Sequence, residues 1–137
     1  MRQRFSRSLD ELSAMVAFTE SFFVANTLPP DLRNAVDLCV EELFVNMVAY
    51  NTETHEPILV ELERTGQGIQ VALTDFGVER FDPRTAPPVD VTAPVDEREP
   101  GGLGLYLVMK MASAIHYEYR DQTSKITLHL DETDNDV

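Results

Sequence analysis

The spacing of apolar residues changes after Tyr50, and this change is the strongest constraint on the fold. Up to Tyr50 the apolar residues recur at helical intervals, in two segments separated by Pro29 and Pro30. From Pro57 the sequence PILVELERTGQGIQVALTDFG alternates apolar and polar residues on both sides of TGQG, which predicts a hairpin of two strands. The first part of the chain is therefore predicted to be helical and the next part to form a sheet.

Both predicted helices have recognisable starts. Ser8 suits the N-cap of the first, while Pro30 and Asp31 suit the start of the second, which runs to about Tyr50. The second helix keeps its apolar period through Cys39, which we expect to be a core residue. A short strand at Arg4 to Ser6 would precede the first helix.

The segment from Val78 to Gly101 has no hydrophobic period and contains five of the eight prolines, so we predict a long loop there. A third helix is predicted from Leu103 to about Ala114, followed by a second hairpin formed by IHYEYRD and SKITLHL. Residues 131–137 form an acidic tail that we expect to be disordered. The predicted fold class is α/β: a two-layer sandwich with a mixed, mainly antiparallel sheet and helices on one face.

The length and net charge of the chain limit the number of domains and the classes of partner that it can have. With 137 residues the chain fits one domain, which we place at residues 1–130. The formal net charge of -13 repels nucleic-acid phosphates and anionic lipids, so we expect neither as a partner and favour a protein with a basic surface. Cys39 is the sole cysteine, which excludes an intrachain disulfide and suits a reducing cytoplasm.

The helical stretch VEELFVNMVAYN carries the first candidate site. Glu42 and Asn46 are four residues apart, so they lie one turn apart on the same helix face. A carboxylate beside an amide oxygen offers a general base next to a hard ligand for Mg²⁺. Glu41 points about 100° away from Glu42 and is expected to face solvent. Spacing alone favours a solvated polar stripe on an amphipathic helix, so the functional interpretation depends on the other motifs.

Two further motifs follow in order. Asp75 ends a predicted strand two residues before Gly77, so its carboxylate could accept a hydrogen bond from a ligand amine while the glycine admits a planar ring. Gly101, Gly102 and Gly104 stand at the start of the third predicted helix, where free N–H groups can hold phosphate oxygens. Each motif alone is weak evidence for a nucleotide site, but their order along the chain is informative.

In this order the segments VEELFVN, DFG…FDP and GGLGLYLVMKMASAIHYEYRD resemble the boxes of the histidine-kinase-like ATPase superfamily, over roughly residues 8–130. Within it the chain looks most like the small anti-sigma-factor serine kinases. The resemblance implies the Bergerat ATP-binding fold with ATP and Mg²⁺ as ligands, and residues 78–100 as the ATP lid. It implies that Glu42 is the catalytic base, that Asn46 coordinates Mg²⁺, and that Asp75 binds the adenine amine beside Gly77. The phosphate-binding stretch would be Gly101, Gly102, Leu103 and Gly104.

The resemblance also implies partners: a STAS-domain antagonist as the kinase substrate and a sigma factor as the regulated protein. A homodimer is left open. The alternative is a non-catalytic module whose nucleotide state gates protein binding. Retention of Glu42 favours the enzyme, whereas Pro100, where family kinases often carry a basic residue, favours the module.

Overall fold

The computed structural model describes residues 1–66, 68–79 and 102–131. Its strands and helices are β1 Arg2–Phe5, α1 Leu12–Asn26, α2 Pro30–Tyr50, β2 Ile58–Arg64, β3 Gly68–Phe76, α3 Gly102–Met111, β4 Ala114–Arg120 and β5 Thr123–Asp131. The Ser8 hydroxyl accepts the Asp10 N–H at 3.2 Å and caps a short 3₁₀ turn, Leu9–Glu11, that leads into α1. The two long helices and both hairpins therefore form where the hydrophobic spacing predicts them.

The five described strands form one sheet in the order β1-β2-β3-β5-β4. All four pairings are antiparallel, so the described sheet contains none of the parallel pairing that a mixed sheet would have. Asp121 and Gln122 connect β4 to β5 with φ of 52° and 61°, the left-handed conformation that a two-residue hairpin turn requires. The central strand β3 lies between β2, its partner in the first hairpin, and β5 of the second hairpin.

The core lies between the sheet and the helices. Ile58, Val60 and Leu62 alternate along β2 and are at most 1% exposed, as expected for the buried face of a strand. They belong to the same apolar cluster as Phe22 of α1 and Phe44 of α2. The helix α2 contacts α1, α3 and β3, so it is the central helix of the layer. This arrangement confirms the predicted two-layer α/β sandwich.

Two predicted boundaries are wrong. The third helix ends at Met111 rather than Ala114, because the Ser113 N–H bonds the His129 carbonyl at 2.8 Å and draws the chain onto β5, so Ala114 begins β4. The first strand spans Arg2–Phe5 rather than Arg4 to Ser6, because its pairing with β2 begins at Arg2. No helix among the described residues is long and apolar enough to cross a membrane.

Only the beginning of the expected lid falls within the described residues. Val78 is buried; its N–H donates to the Gln122 carbonyl at 2.9 Å, and its carbonyl accepts the Tyr119 hydroxyl at 2.8 Å. The rest of the expected lid, Gly101 of the glycine-rich motif and the acidic tail after Asp131 lie outside the described residues. The chain is thus held to the β4–β5 turn at the point where the expected lid starts.

Candidate functional site

The helix α2 presents its polar residues as the motif predicts. Asn46 is only 7% exposed, Glu42 is half-buried one turn earlier, and Glu41 faces solvent. The Asn46 Oδ1 atom is buried and has no hydrogen-bond partner among the described residues. A buried amide oxygen without a partner costs about 1–3 kcal/mol, so a ligand that engages it would recover that free energy.

This unpaired oxygen also decides whether Mg²⁺ suits the site. Mg²⁺ prefers hard oxygen donors and is commonly held by one or two protein oxygens, with waters and nucleotide phosphates completing its shell. Asn46 Oδ1 is such a donor, and the half-buried Glu42 carboxylate lies one helical turn away. The residues present therefore fit the metal that the motif implies.

The environment of Glu42 changes its proton affinity. Partial burial raises the pKa of the Glu42 carboxyl above its usual value, and the negative charge of neighbouring Glu41 raises it further. A carboxylate with a raised pKa is a stronger base once ionised. Glu42 therefore binds a proton more tightly than an exposed glutamate does.

Asp75 lies in β3, one residue before the strand ends at Phe76, and is completely buried. Its Oδ2 accepts the side-chain N–H of Asn51 at 2.5 Å, and its Oδ1 forms an ion pair with Nη2 of Arg7. Asn51 is the C-cap of α2, and its own backbone N–H bonds the Met47 carbonyl at 3.0 Å. The carboxylate is therefore held between the end of α2 and the segment that follows β1.

Arg7 joins several parts of the fold at this point. Its Nε donates to the Glu56 carbonyl at 2.9 Å, and Nη1 donates to the carbonyls of Met47 and Asn51 at 3.3 and 3.4 Å. The two Nη1 contacts satisfy carbonyls at the C-terminal end of α2, where a positive charge also interacts favourably with the helix dipole. Burial lowers the pKa of Arg7, and the nearby Glu53 carboxylate opposes this effect.

Gly77 is needed for its backbone conformation. Its φ is +70°, and a Cβ atom at this position would lie 3.0 Å from the Thr54 hydroxyl oxygen. That hydroxyl donates to the Phe76 carbonyl at 2.8 Å and accepts the Glu56 N–H at 3.1 Å. Thr54 thus ties the loop after α2 to the end of β3, and Gly77 lets the chain turn beside it.

The glycine-rich motif forms the start of α3. Gly102, Leu103 and Gly104 lie in its first turn, and the helix packs against α2. The first N–H groups of a helix have no partner within the helix and can bind anions. The third predicted motif is therefore on a helix that contacts the one carrying Glu42 and Asn46.

The polar positions follow one another along α2 in a simple order. Asn51, which holds Asp75, is at its C-terminal end; Asn46 is five residues earlier and Glu42 four residues earlier again. At 1.5 Å per residue these steps are about 7.5 and 6 Å along the axis. The partner of the buried Asp75 carboxylate, a buried amide oxygen and a half-buried carboxylate thus follow one another along α2.

Sequence reasoning missed two residues of this site, Arg7 and Asn51. Asn51 stands at the end of the VEELFVNMVAYN stretch, where an amide at a helix C-cap is common enough to attract no notice. Arg7 follows an edge strand and has no spacing relation to Asp75, which is 68 positions away (75 − 7 = 68). Only the folded chain brings the two together.

Comparison with known proteins agrees with this geometry. A family model described as the histidine kinase-like ATPase domain matches residues 5–130. The chain is also similar to the serine/threonine-protein kinase BtrW of Bordetella bronchiseptica, with 28% identity over 99 residues, which cover 71% of this chain and 69% of that protein. The family match takes in the three described α-helices, nearly all of both hairpins and all three motifs. The protein therefore belongs to the histidine kinase-like ATPase domain family.

Proposed function

We propose that this protein is an Mg-ATP-dependent serine/threonine kinase that phosphorylates a STAS-domain antagonist and thereby regulates a sigma factor. Family membership supports ATP as the ligand, and similarity to the serine/threonine-protein kinase of Bordetella supports a serine/threonine kinase. The resemblance to anti-sigma-factor kinases supports the choice of partners. The same resemblance to anti-sigma-factor kinases is the reason that we place the protein in the cytoplasm.

The observation that carries the proposal is the pairing of Asn46 and Glu42. A buried amide oxygen without a partner lies one turn from a half-buried carboxylate whose pKa is raised. A purely structural stripe on an amphipathic helix would place such groups in solvent, where they need no partner. Here both are partly or fully withdrawn from water, at the position that the ATP-binding motif requires.

The residues take the following roles in this proposal. Asp75 accepts a hydrogen bond from the adenine amine, and the first turn of α3 binds phosphate oxygens. Asn46 would hold Mg²⁺, which when bound would neutralise charge on the phosphates. Glu42 accepts the proton of the substrate serine hydroxyl as the serine oxygen forms its bond to the γ-phosphorus and the bond to ADP breaks.

The test uses three variants and the STAS-domain proteins encoded in the same genome. With radiolabelled ATP, the wild type should label one of them. Glu42→Gln should keep its affinity for ATP and lose about 10²–10⁴-fold in rate, the usual effect of removing a general base. Asn46→Ala should weaken binding of Mg-ATP more than binding of metal-free ADP, because only the first needs the metal ligand.

Glu41→Gln is the matched control, because it removes the same charge from the adjacent, solvent-exposed position. It should label the STAS protein at close to the wild-type rate. If the wild type neither labels a STAS protein nor hydrolyses ATP, yet nucleotide changes its binding to a partner, the kinase proposal is wrong and the nucleotide-gated module replaces it.

A further inference from the structure

The carboxylate assigned to the adenine amine is already occupied. Asp75 is 0% exposed, with Asn51 on one oxygen and Arg7 on the other. Each carboxylate oxygen can accept a second hydrogen bond, but because Asp75 is completely buried an amine can reach it only if a neighbouring group moves. The structure therefore raises the question of which group gives way.

Asn51 is the less movable of the two. It is the C-cap of α2, its backbone is bonded to Met47, and the residue is only 9% exposed. Arg7 reaches Asp75 through a long flexible side chain from the connection between β1 and the first helical turn. Arg7, on its longer side chain and outside the helix, is therefore the group with more freedom to leave.

Arg7 and a purine amine would make the same kind of contact. The guanidinium group and the exocyclic amine of adenine are both hydrogen-bond donors, and Arg7 occupies the Oδ1 side of Asp75. A displaced Arg7 would also have an alternative partner, since the exposed Glu53 carboxylate already attracts its charge. The Glu56 carbonyl that Arg7 would release belongs to an exposed residue and can bind water instead.

We infer that Arg7 is a built-in competitor for the nucleotide: it occupies Asp75 in the free protein and must leave before adenine can bind. This inference rests on the proposed nucleotide site. It couples that site to the segment between β1 and α1, because the arginine that leaves is the one that holds the segment to α2. A partner that binds this segment and shifts it would therefore change the affinity for nucleotide. By thermodynamic linkage, nucleotide would change the affinity for that partner by the same factor.

The test measures ADP binding by calorimetry in the absence of metal. In this proposal only the state with Arg7 displaced can bind ADP. If that state makes up roughly 0.1–10% of the free protein, the apparent Kd for ADP is at least about tenfold higher than the Kd of the displaced state. Arg7→Ala removes the competitor, so it should bind ADP at least about tenfold more tightly than the wild type.

Arg2→Ala is the matched control, because it removes the same charge from an exposed position on β1. Loss of a positive charge should by itself weaken binding of an anionic nucleotide, so tighter binding by Arg7→Ala has no general electrostatic explanation. Arg2→Ala should bind ADP as the wild type does, or slightly more weakly.

A second measurement uses the wild type, in case Arg7→Ala fails to fold. The Arg7 Nε–H group, which bonds the Glu56 carbonyl, should exchange with water slowly in the free protein and faster with ADP bound, as followed by NMR.

The outcomes separate the two proposals. If the wild type binds no adenine nucleotide, or if Asp75→Asn binds ADP unchanged, the nucleotide site itself is misassigned. If binding depends on Asp75 but Arg7→Ala binds ADP equally or more weakly, and the Nε–H group stays protected, the site stands and Arg7 is a permanent structural clamp instead.

Discussion

The ion pair between Arg7 and Asp75 should show strong coupling in the stability of the nucleotide-free protein. Removing one partner of a buried pair leaves the other charge uncompensated, at a cost of roughly 3–5 kcal/mol. After Asp75→Asn, Arg7 retains three backbone carbonyls as acceptors, which places this variant near about 3 kcal/mol. After Arg7→Ala, the carboxylate retains only Asn51 among its described partners, so we expect about 4 kcal/mol.

The double variant should cost less than the sum of the two single variants, because it leaves neither charge buried alone. We expect a coupling free energy of about 2–3 kcal/mol, near the top of the range for contacting residues. Urea unfolding followed by circular dichroism, without nucleotide, measures the free energy of unfolding of the wild type, the two single variants and the double variant. For 137 residues at ~2.1 cal/mol/K each, 3 kcal/mol corresponds to about 10 °C in Tm, which gives an independent check.

The result that would refute this reasoning is additivity. If the two single effects sum to the double effect within about 0.5 kcal/mol, Arg7 and Asp75 do not interact in solution. The competitor inference would then lose its structural basis as well. Arg2→Ala again serves as the control, with an expected change within about 0.5 kcal/mol because it is an exposed surface substitution.

Three further predictions concern single sites. The raised pKa of Glu42 means that the folded protein binds this proton more tightly than the unfolded chain, so its contribution to stability is present below the unfolded pKa and is lost as pH rises through the folded pKa. Glu42→Gln should therefore raise Tm at pH 7, with the gain vanishing as the pH falls to about 4; a gain that is constant with pH would contradict this. Gly77→Ala should destabilise by about 1–2 kcal/mol in urea unfolding because of its φ of +70°, whereas Gly66→Ala, with no atom near the added Cβ, should cost less. Burial raises the pKa of the Cys39 thiol to about 12, so native protein at pH 8 should resist thiol reagents until it is unfolded, and rapid labelling of native protein would disprove its burial.

Much of the fold follows from local patterns that act over a few residues. The helical spacing of Leu32, Val36 and Leu43 and the alternation of Ile58, Val60 and Leu62 each require one buried face, so they determine element type without knowledge of the partner element. The residue at which α3 ends could not be predicted from such a local pattern. It depends on a hydrogen bond from Ser113 to His129, on a strand that comes later in the chain.

The residues of the candidate site also fall into two groups, those placed by local sequence spacing and those brought together only by the tertiary structure. Glu42 and Asn46 share one helix, so their spacing alone placed both on the same side of α2, whereas the tertiary structure decided that this side is partly withdrawn from solvent. The partners of Asp75 were decided only by the tertiary structure, which brings the C-cap of α2 and the segment after β1 to the end of β3. A buried carboxylate must be compensated by whatever donors the fold brings within hydrogen-bonding distance, and no periodicity in the sequence specifies contacts between residues so far apart.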